Sequence, residues 1–335
     1  MKLLIAIVNY RTADLTIDCL RSLEGEVGDD AQVRVVIADG ASGDDSVEKL
    51  SRAIANMRFA GGCELLPLER NGGFAFANNA IIRHALQRRD PHLPLHGTPD
   101  AANDRRARYV LLLNPDTIVR PGAVRALTHF MEINPHVGIA GSRLEDPDGT
   151  PQISAFRFHT LASEFERGIR LGIVSRLLSS SVVAPPVPEQ ACPTDWVAGA
   201  SMIVRREVFD AIGLLDEKYF MYFEEVDFCL AAKKAGWPCW YLPQSRVVHL
   251  VGAASELSDG RRHRRRRPSY WFDSRRRYFV KNRGVIYAAL ADAAFAIGFA
   301  LWRVRRFIQR KQDNDPPKLL VDFLRHSVFV KGGSF

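Results

Sequence analysis

The sequence predicts an α/β protein with a mixed, mostly parallel, Rossmann-like sheet and a basic, helical C-terminal extension. In the first 86 residues, apolar strand-like runs alternate with stretches whose apolar residues recur every three or four positions. This β-α-β order is typical of parallel strands joined by right-handed crossovers. The most apolar run, residues 109–113, ends in the turn Asn114-Pro115-Asp116, where an open α/β sheet presents a carboxylate at its ligand-binding edge.

The individual elements follow from periodicity and turn residues. Apolar runs predict strands at residues 2–8, 33–38, 64–68, 109–113 and 196–204. Helical spacing predicts helices at residues 13–23, 47–57, 74–86, 122–134, 206–212 and 225–235, with Ser42 and Asp44 as candidate caps for the second. Between residues 142 and 190 we expect an amphipathic stretch at 161–178 and a Ser/Pro-rich linker that forms a mobile loop over the site.

Composition limits the class of protein. The 335 residues are 47% hydrophobic and 25% charged, which is ordinary for a globular chain with a sizeable core. The five cysteines are scattered without a Cys-x-x-Cys pair, so we expect a reducing, cytoplasmic compartment and neither a disulfide framework nor a zinc site. Residues 1–8 lack a signal-peptide cleavage site and predict a first strand.

The net charge of +8 is unevenly distributed along the chain. Residues 261–311 hold 16 Lys and Arg against two Asp, a local charge of +14, whereas the remainder holds 30 basic and 36 acidic residues, or −6. Such segregation favours contact between the tail and an anionic surface, either phospholipid or nucleic acid.

Polar and glycine residues follow the predicted strands of the first half. Asp39 can accept a hydrogen bond from the N3–H of uracil or thymine, or it can simply form a turn. The glycines after Asn71 let a backbone approach a ligand closely, and the next helix directs its N-terminus at the site, which suits a diphosphate. An ordinary loop and helix cap is the alternative.

Three acids, Glu224, Glu225 and Asp227, follow the aromatic run 219–223. Acids in the first turn of a helix commonly complement its dipole. Here, packing one of them among aromatic rings would raise its pKa by desolvation and make it a competent general base.

Together, the motifs Asn9-Tyr10, Asn71-Gly-Gly-Phe74, Asn114-Pro-Asp116 and Phe223-Glu-Glu-Val-Asp227 resemble those of family 2 glycosyltransferases with the GT-A fold, over residues 3–252. The resemblance implies inverting transfer of a sugar from a nucleotide diphosphate to a saccharide or polyprenyl-linked acceptor in cell-surface polysaccharide synthesis. The rhamnosyltransferase branch is most similar, which implies dTDP-L-rhamnose as donor, with galactofuranosyl or N-acetylhexosaminyl transfer as alternatives. A non-catalytic assembly subunit of the same fold is the alternative from another class.

The resemblance also implies roles for individual residues. Asp116 matches a carboxylate that holds Mg²⁺ or Mn²⁺ against the diphosphate, and His249 matches a histidine that completes the metal shell in some relatives. Glu225 matches the catalytic base, although Asp is usual there, so Glu224 and Asp227 stay candidates. One carboxylate and one metal suffice, because a nucleoside diphosphate leaves as a metal-stabilised anion. The donor would be bound by Asn9, Tyr10, Asp39, Asn71, Gly72, Gly73, Asn78 and Asn114, and the acceptor by Trp196, Gly199 and Ala200. A core position for Trp196, and an ordinary hydrogen bond at a strand end for His249, are the alternatives.

These expectations divide the chain into a catalytic domain and a tail. Residues 1–117 form the nucleotide-sugar-binding half, residues 118–255 the acceptor half, and residues 256–335 the basic helical extension. The apolar segment 285–302 predicts an interfacial helix that holds the enzyme at the inner face of the cytoplasmic membrane, or else a helix packed on the catalytic domain. The arginine run at 263–267 lacks interleaved aromatics, so no nucleic acid is expected as a partner.

Overall fold

The computed structural model describes residues 1–87, 107–250 and 266–333. Within these residues, a nine-stranded mixed sheet forms the centre of the protein, and a two-stranded sheet lies beside it. The strands are β1 (Leu3–Asn9), β2 (Val33–Asp39), β3 (Cys63–Pro67), β4 (Tyr109–Leu113), β5 (Thr117–Val119), β6 (Ile139–Glu145), β7 (Ala155–Phe156), β8 (Cys192–Thr194), β9 (Trp196–Val197), β10 (Ser201–Arg205) and β11 (Cys239–His249).

The order of strands places the functional turns at one edge. The large sheet runs β3-β2-β1-β4-β10-β6-β11-β5, with β8 added beside β11, and β7 pairs with β9. The first four strands are parallel, as predicted, whereas β10 inserts antiparallel between β4 and β6. Strand β10 is antiparallel to both of its neighbours, so β6 runs in the same direction as β4, and β11 is parallel to β6. The carboxyl ends of β1, β2, β4, β6 and β11 therefore lie at the same edge of the sheet.

Helices cover both faces of the sheet. They are α1 (Ala13–Val27), α2 (Ser46–Ala55), α3 (Gly73–Gln87), α4 (Ala123–Ile133), α5 (Leu161–Ile169), α6 (Gly172–Leu177), α7 (Arg206–Ile212), α8 (Glu224–Lys234), α9 (Ser269–Arg283), α10 (Val285–Ile308), α11 (Leu319–Arg325) and α12 (Val328–Lys331). The strands are continuously apolar because both faces of the sheet are covered, as β1 shows. Leu3, Ile5 and Ile7 belong to the apolar cluster that includes α1 and α4, while Leu4 and Ala6 belong to the one that includes α3 and α8.

One predicted strand is wrong in extent, and the predicted amphipathic stretch forms two helices. The run 196–204 is divided into β9 and β10, which belong to different sheets and are joined by a turn at residues 198–200. The amphipathic stretch 161–178 is divided into α5 and α6, because Arg170 adopts a left-handed backbone conformation with φ 49°. Of the two candidate caps for α2, Asp44 accepts from the Ser46 backbone N–H, whereas Ser42 bonds elsewhere.

The C-terminal extension packs on the preceding part of the protein, which we call the body. Helices α5 and α10 cross at Gly168 and Gly298, where a Cβ on either glycine would lie 2.7 Å from a backbone oxygen of the other helix. Buried Arg275 of α9 bridges Glu164 of α5 and Asp292 of α10. These contacts favour the packed alternative for the inner face of α10. The predicted domain boundary at residues 255–256 lies outside the described residues.

Candidate active site

Asn9 and Asp39 lie side by side at the carboxyl ends of β1 and β2. The buried Asp39 carboxylate accepts hydrogen bonds from Asn9 Nδ2 (2.7 Å), Ser42 Oγ (2.6 Å) and the Ser42 backbone N–H (3.0 Å). The Asn9 Oδ1 atom in turn accepts from the hydroxyls of Thr12 and Thr16. Asn9 therefore orients Asp39, and Ser42, which sequence reasoning treated only as a helix cap, is part of the same network.

The exposed side chains of Tyr10 and Asn71 lie next to this network. A Cβ added at Gly40 would be 3.7 Å from Tyr10 Cδ2 and 3.9 Å from Asn71 Cγ, so these predicted donor-binding residues come together around the loop after β2. Arg11 and Ala41 adopt left-handed backbone conformations in the two flanking loops, with φ 57° and 55°. Strained loop residues of this kind commonly border binding sites.

The Gly72-Gly73 pair packs closely against other residues of this chain, while its predicted contact with a ligand stays a prediction. A Cβ on Gly73 would lie 1.8 Å from the carbonyl oxygen of Phe220, and Gly73 has φ +85°. A Cβ on Gly72 would lie 2.4 Å from the ring of Phe76. The close approach that requires glycine is therefore made by this chain's own Phe220 backbone and Phe76 side chain.

Asn78 lies one turn into α3 and is almost fully buried. Its Nδ2 donates to the Phe74 carbonyl at 3.0 Å, while its Oδ1 accepts no hydrogen bond from the described residues. A buried amide oxygen of this kind needs a donor, so Asn78 stays a candidate for ligand contact.

Asp116 and His249 are brought together although they are far apart in sequence. Strand β5 begins directly after Asp116 and pairs with β11 so that Thr117 faces His249. The His249 Nε2 atom lies 3.6 Å from Asp116 Oδ1, and the Leu250 N–H donates to the Asp116 carbonyl. An oxygen and a nitrogen ligand side by side fit a divalent ion such as Mg²⁺ or Mn²⁺. No group of three or more potential metal ligands occurs among residues 1–87, 107–250 and 266–333.

Cys19 lies behind the turn that carries Asp116, a neighbour that sequence reasoning missed. Its Sγ is 3.4 Å from Thr117 Oγ1 and close to the Asn114 carbonyl. Burial raises the pKa of the Cys19 thiol to about 12, so the thiol is neutral and packs under the turn without acting as a ligand.

The acid cluster begins helix α8 after two residues in left-handed conformations, Tyr222 (φ 71°) and Phe223 (φ 68°). Burial, followed by repulsion from Glu225, holds the pKa of Glu224 well above its ordinary value. Burial raises the pKa of Glu225 to about 7. The Oε2 atoms of both glutamates accept no hydrogen bond within the described part of the chain. The prediction that desolvation activates an acid here therefore agrees with the surroundings of these two side chains.

Asp227 differs from the two glutamates because it is held by the extension. Lys281 Nζ donates to its Oδ2 at 2.6 Å and Asn282 Nδ2 to its Oδ1 at 2.7 Å, both from α9. Its two oxygens are thus engaged, which favours a positioning role for Asp227 over proton transfer. Sequence reasoning missed Lys281 because 54 residues separate it from its partner.

The turn at residues 198–200 contacts both the turn that carries Asp116 and the acid cluster. The Asn114 N–H donates to the Ala200 carbonyl at 3.0 Å, and a Cβ on Gly199 would lie 3.8 Å from Glu225 Cβ. Trp196 does not share this position. It is 9% exposed, stacks on Phe156 at 4.1 Å and donates its Nε1–H to the Arg157 carbonyl, so it is a packing residue in this structure.

Comparisons with known proteins agree on one family. The model for "glycosyltransferase like family 2" matches residues 1–270. The chain is 28% identical over 222 residues to an N-acetylglucosaminyl-diphospho-decaprenol L-rhamnosyltransferase from Mycobacterium tuberculosis, covering 65% of this chain and 66% of that protein. It is 23% identical over 191 residues to the dTDP-rhamnosyl transferase RfbF of Shigella flexneri, covering 57% of this chain and 53% of the relative.

Solved structures show the same fold. GalNAc-T7, crystallised with UDP, GalNAc and Mn²⁺, superposes with a TM-score of 0.57 at 14% identity, over 92% of this chain and 54% of that protein. At this identity the likeness establishes the GT-A fold alone.

Proposed function

The chain belongs to glycosyltransferase-like family 2, and on that premise we propose that it is an inverting, metal-dependent enzyme that transfers L-rhamnose from dTDP-rhamnose to a polyprenyl-linked saccharide. The observation that carries the proposal is the convergence, at one sheet edge, of the Asp116–His249 pair, the Gly199 turn and Glu225. The names of the rhamnosyltransferase relatives support the choice of sugar and of lipid-linked acceptor.

Glu225 is the proposed base. Its half-buried carboxylate, with a pKa of about 7, takes the proton of the acceptor hydroxyl as that oxygen bonds to the anomeric carbon. The bond between that carbon and the diphosphate oxygen breaks on the opposite face, which inverts the configuration. Burial and repulsion from Glu225 also raise the pKa of Glu224, so the two neighbouring carboxyl groups are proposed to share a single negative charge.

The metal would be held by Asp116 and His249. When bound, it supplies positive charge that stabilises the leaving diphosphate. The Mn²⁺ crystallised with GalNAc-T7 supports this assignment. Asp39, fixed in place by Asn9 and Ser42, is proposed to read the N3–H of the pyrimidine, with Tyr10 and Asn71 lining the same loop.

We also place the reaction at the inner face of the cytoplasmic membrane. The decaprenol-linked acceptor in the name of the tuberculosis relative supports this location. An enzyme that acts on such an acceptor must reach the bilayer surface.

The test is a transfer assay with purified full-length protein and an N-acetylglucosaminyl-diphospho-polyprenol acceptor. dTDP-rhamnose, UDP-galactofuranose and UDP-N-acetylglucosamine are compared with Mn²⁺, with Mg²⁺ and with EDTA. We expect product from dTDP-rhamnose alone and none with EDTA. Product from a UDP-sugar instead would refute dTDP-rhamnose as the donor. Full activity in EDTA would refute the dependence on a metal.

Calorimetry separately tests the nucleobase. Thymidine and uridine diphosphates should bind at least tenfold more tightly than guanosine and adenosine diphosphates. Equal affinities for the four would refute the role of Asp39.

A further inference from the structure

Helix α10 presents two apolar faces, of which the body covers only one. Its inner face is buried against α5 and α9, through Ala288, Ala291, Phe295, Gly298 and Phe299. Eight of the eighteen exposed large hydrophobic side chains of the described residues also lie on this helix. They are Val285, Ile286, Leu290, Ile297, Leu301, Val304, Phe307 and Ile308, with exposures from 46% to 82%.

Six of these eight form a straight stripe. At about 100° per residue, Ile286, Leu290, Ile297, Leu301, Val304 and Ile308 fall within an arc of about 60°, opposite the buried face. Between Val285 and Trp302 the helix has one charged residue, Asp292, which is buried. The outer stripe is therefore a continuous exposed apolar surface, which is uncommon on a protein that contacts only water.

The positive charge of the tail does not by itself explain this surface, because half of its sixteen basic residues are bound within the chain. Seven of the basic residues between 261 and 311 form ion pairs with acids of this chain: Arg266, Arg275, Arg276, Arg277, Lys281, Arg303 and Arg306. Arg305 donates to the carbonyls of Ile169 and Arg170 at the end of α5. Arg275, Arg277, Lys281 and Arg305 thus attach the extension to the body, whereas the other four bind acids of the extension itself. Fewer charges are therefore free than the count of +14 implies.

Helix α10 is long and apolar enough to cross a membrane, the one such helix within the described residues. Its contacts argue against crossing. A spanning orientation would separate Gly298 from Gly168 and Asp292 from Arg275, and would leave a charged Asp292 in hydrocarbon. A helix fixed to the body by one face can still enter a bilayer with the other, lying in the plane of the surface.

We propose that the outer stripe of α10 is a membrane-docking face that inserts into the interfacial region of a bilayer, with apolar burial and not charge as the main source of binding. Exposed Arg310 and Lys311 follow the stripe and match anionic headgroups in charge. The proposed function supplies only the reason for such docking, which is access to a lipid-linked acceptor. The surface itself is observed in the fold.

The test is flotation of full-length protein with phosphatidylcholine vesicles and with vesicles that contain phosphatidylglycerol, at 0.1 and 1 M NaCl. We expect binding to both vesicles, with less than a threefold loss in high salt. The double variant Leu290→Glu with Leu301→Glu should bind at least tenfold more weakly. The control, Ile133→Glu with Ile153→Glu, changes two exposed apolar residues away from the stripe and should bind like the wild type.

Several outcomes would overturn the proposal. These are no flotation at all, binding only to anionic vesicles with release at 1 M NaCl, or undiminished flotation of the stripe variant. Sedimentation without lipid adds another: a wild-type dimer that the stripe variant converts to a monomer would make a second copy the occupant of this face. Because flotation needs no sugar donor, an incorrect donor assignment leaves its result unchanged. Far-UV circular dichroism and urea unfolding, which need no ligand, verify that the variants are folded.

Discussion

The replacement Glu225→Gln tests catalysis and stability with the same change. Burial raises the pKa of Glu225 from 4.5 to about 7. One pKa unit corresponds to about 1.4 kcal/mol, so keeping this carboxylate ionised in the folded protein costs about 3 kcal/mol at pH 8. A neutral glutamine of similar shape removes that cost. We expect the variant to be more stable than the wild type by up to about 3 kcal/mol at pH 8.

The sign follows from where the proton is bound. Because the pKa in the folded state is above that in the unfolded state, the stabilising contribution of Glu225 is complete below pH 4.5 and is lost as the pH rises through 7. The advantage of the glutamine variant should therefore shrink to about 1 kcal/mol or less at pH 5. Urea unfolding at pH 5 and pH 8 measures both values. Glu189→Gln, at an exposed glutamate, is the matched control and should change neither.

The Glu225→Gln variant should gain stability but lose activity. As the proposed base, Glu225 must be ionised, so the wild-type kcat/KM should fall about tenfold per pH unit below pH 7 and level off above it. The Gln variant should lose about 10² or more of turnover and the pH dependence with it. A variant within tenfold of wild-type activity would refute the base assignment. A stability difference that is the same at both pH values would refute desolvation as the cause of the raised pKa.

Three further changes test the remaining parts of the site. Asp116→Ala should abolish transfer, and calorimetry should show that Mn²⁺ no longer affects the binding of thymidine diphosphate. An unchanged effect of Mn²⁺ would disprove Asp116 as a metal ligand. Lys281→Met removes a partner of the buried Asp227 carboxylate, so the free energy of unfolding in urea should fall by about 1–3 kcal/mol. Kinetics should show a lower kcat at an unchanged KM for the donor. Lys281→Arg should restore both the stability and the kcat. Gly73→Ala should lower the free energy of unfolding by more than about 1 kcal/mol, because the added Cβ displaces the Phe220 carbonyl. The loss should exceed that of Gly236→Ala, where φ is a similar +86° but a Cβ would have no atom within 4 Å. Equal losses would mean that backbone strain alone matters.

Local patterns were sufficient for much of the fold. Strands β1, β2 and β4 and helices α1, α3 and α4 lie within a few residues of their predicted bounds, because their apolar residues recur with the period of the element and turn residues end them. The same logic placed Asn9, Asp39 and Asp116 at strand ends, where parallel pairing brings them to one edge. The family resemblance, carried by four short motifs, is confirmed.

Other features depend on contacts between residues distant in sequence. Nothing near Trp196 signals that the chain changes sheets at the following turn, since β10 is defined by its two partner strands. The contact of Gly73 with the Phe220 carbonyl likewise joins residues that are 147 positions apart in the sequence.

The tail shows most clearly what the sequence determined and what it did not. Its charge of +14 and its apolar segment are properties of composition and can be read directly from the chain. Whether an arginine faces water, lipid or a carboxylate depends on where the acids of the body lie, and Glu164, Asp216 and Asp227 come from three separate segments. Likewise, only the docking of α10 on α5 decides which of its apolar residues are covered. Charge and hydropathy are local quantities, whereas burial and pairing are properties of the assembled fold, so only the tertiary structure decided them.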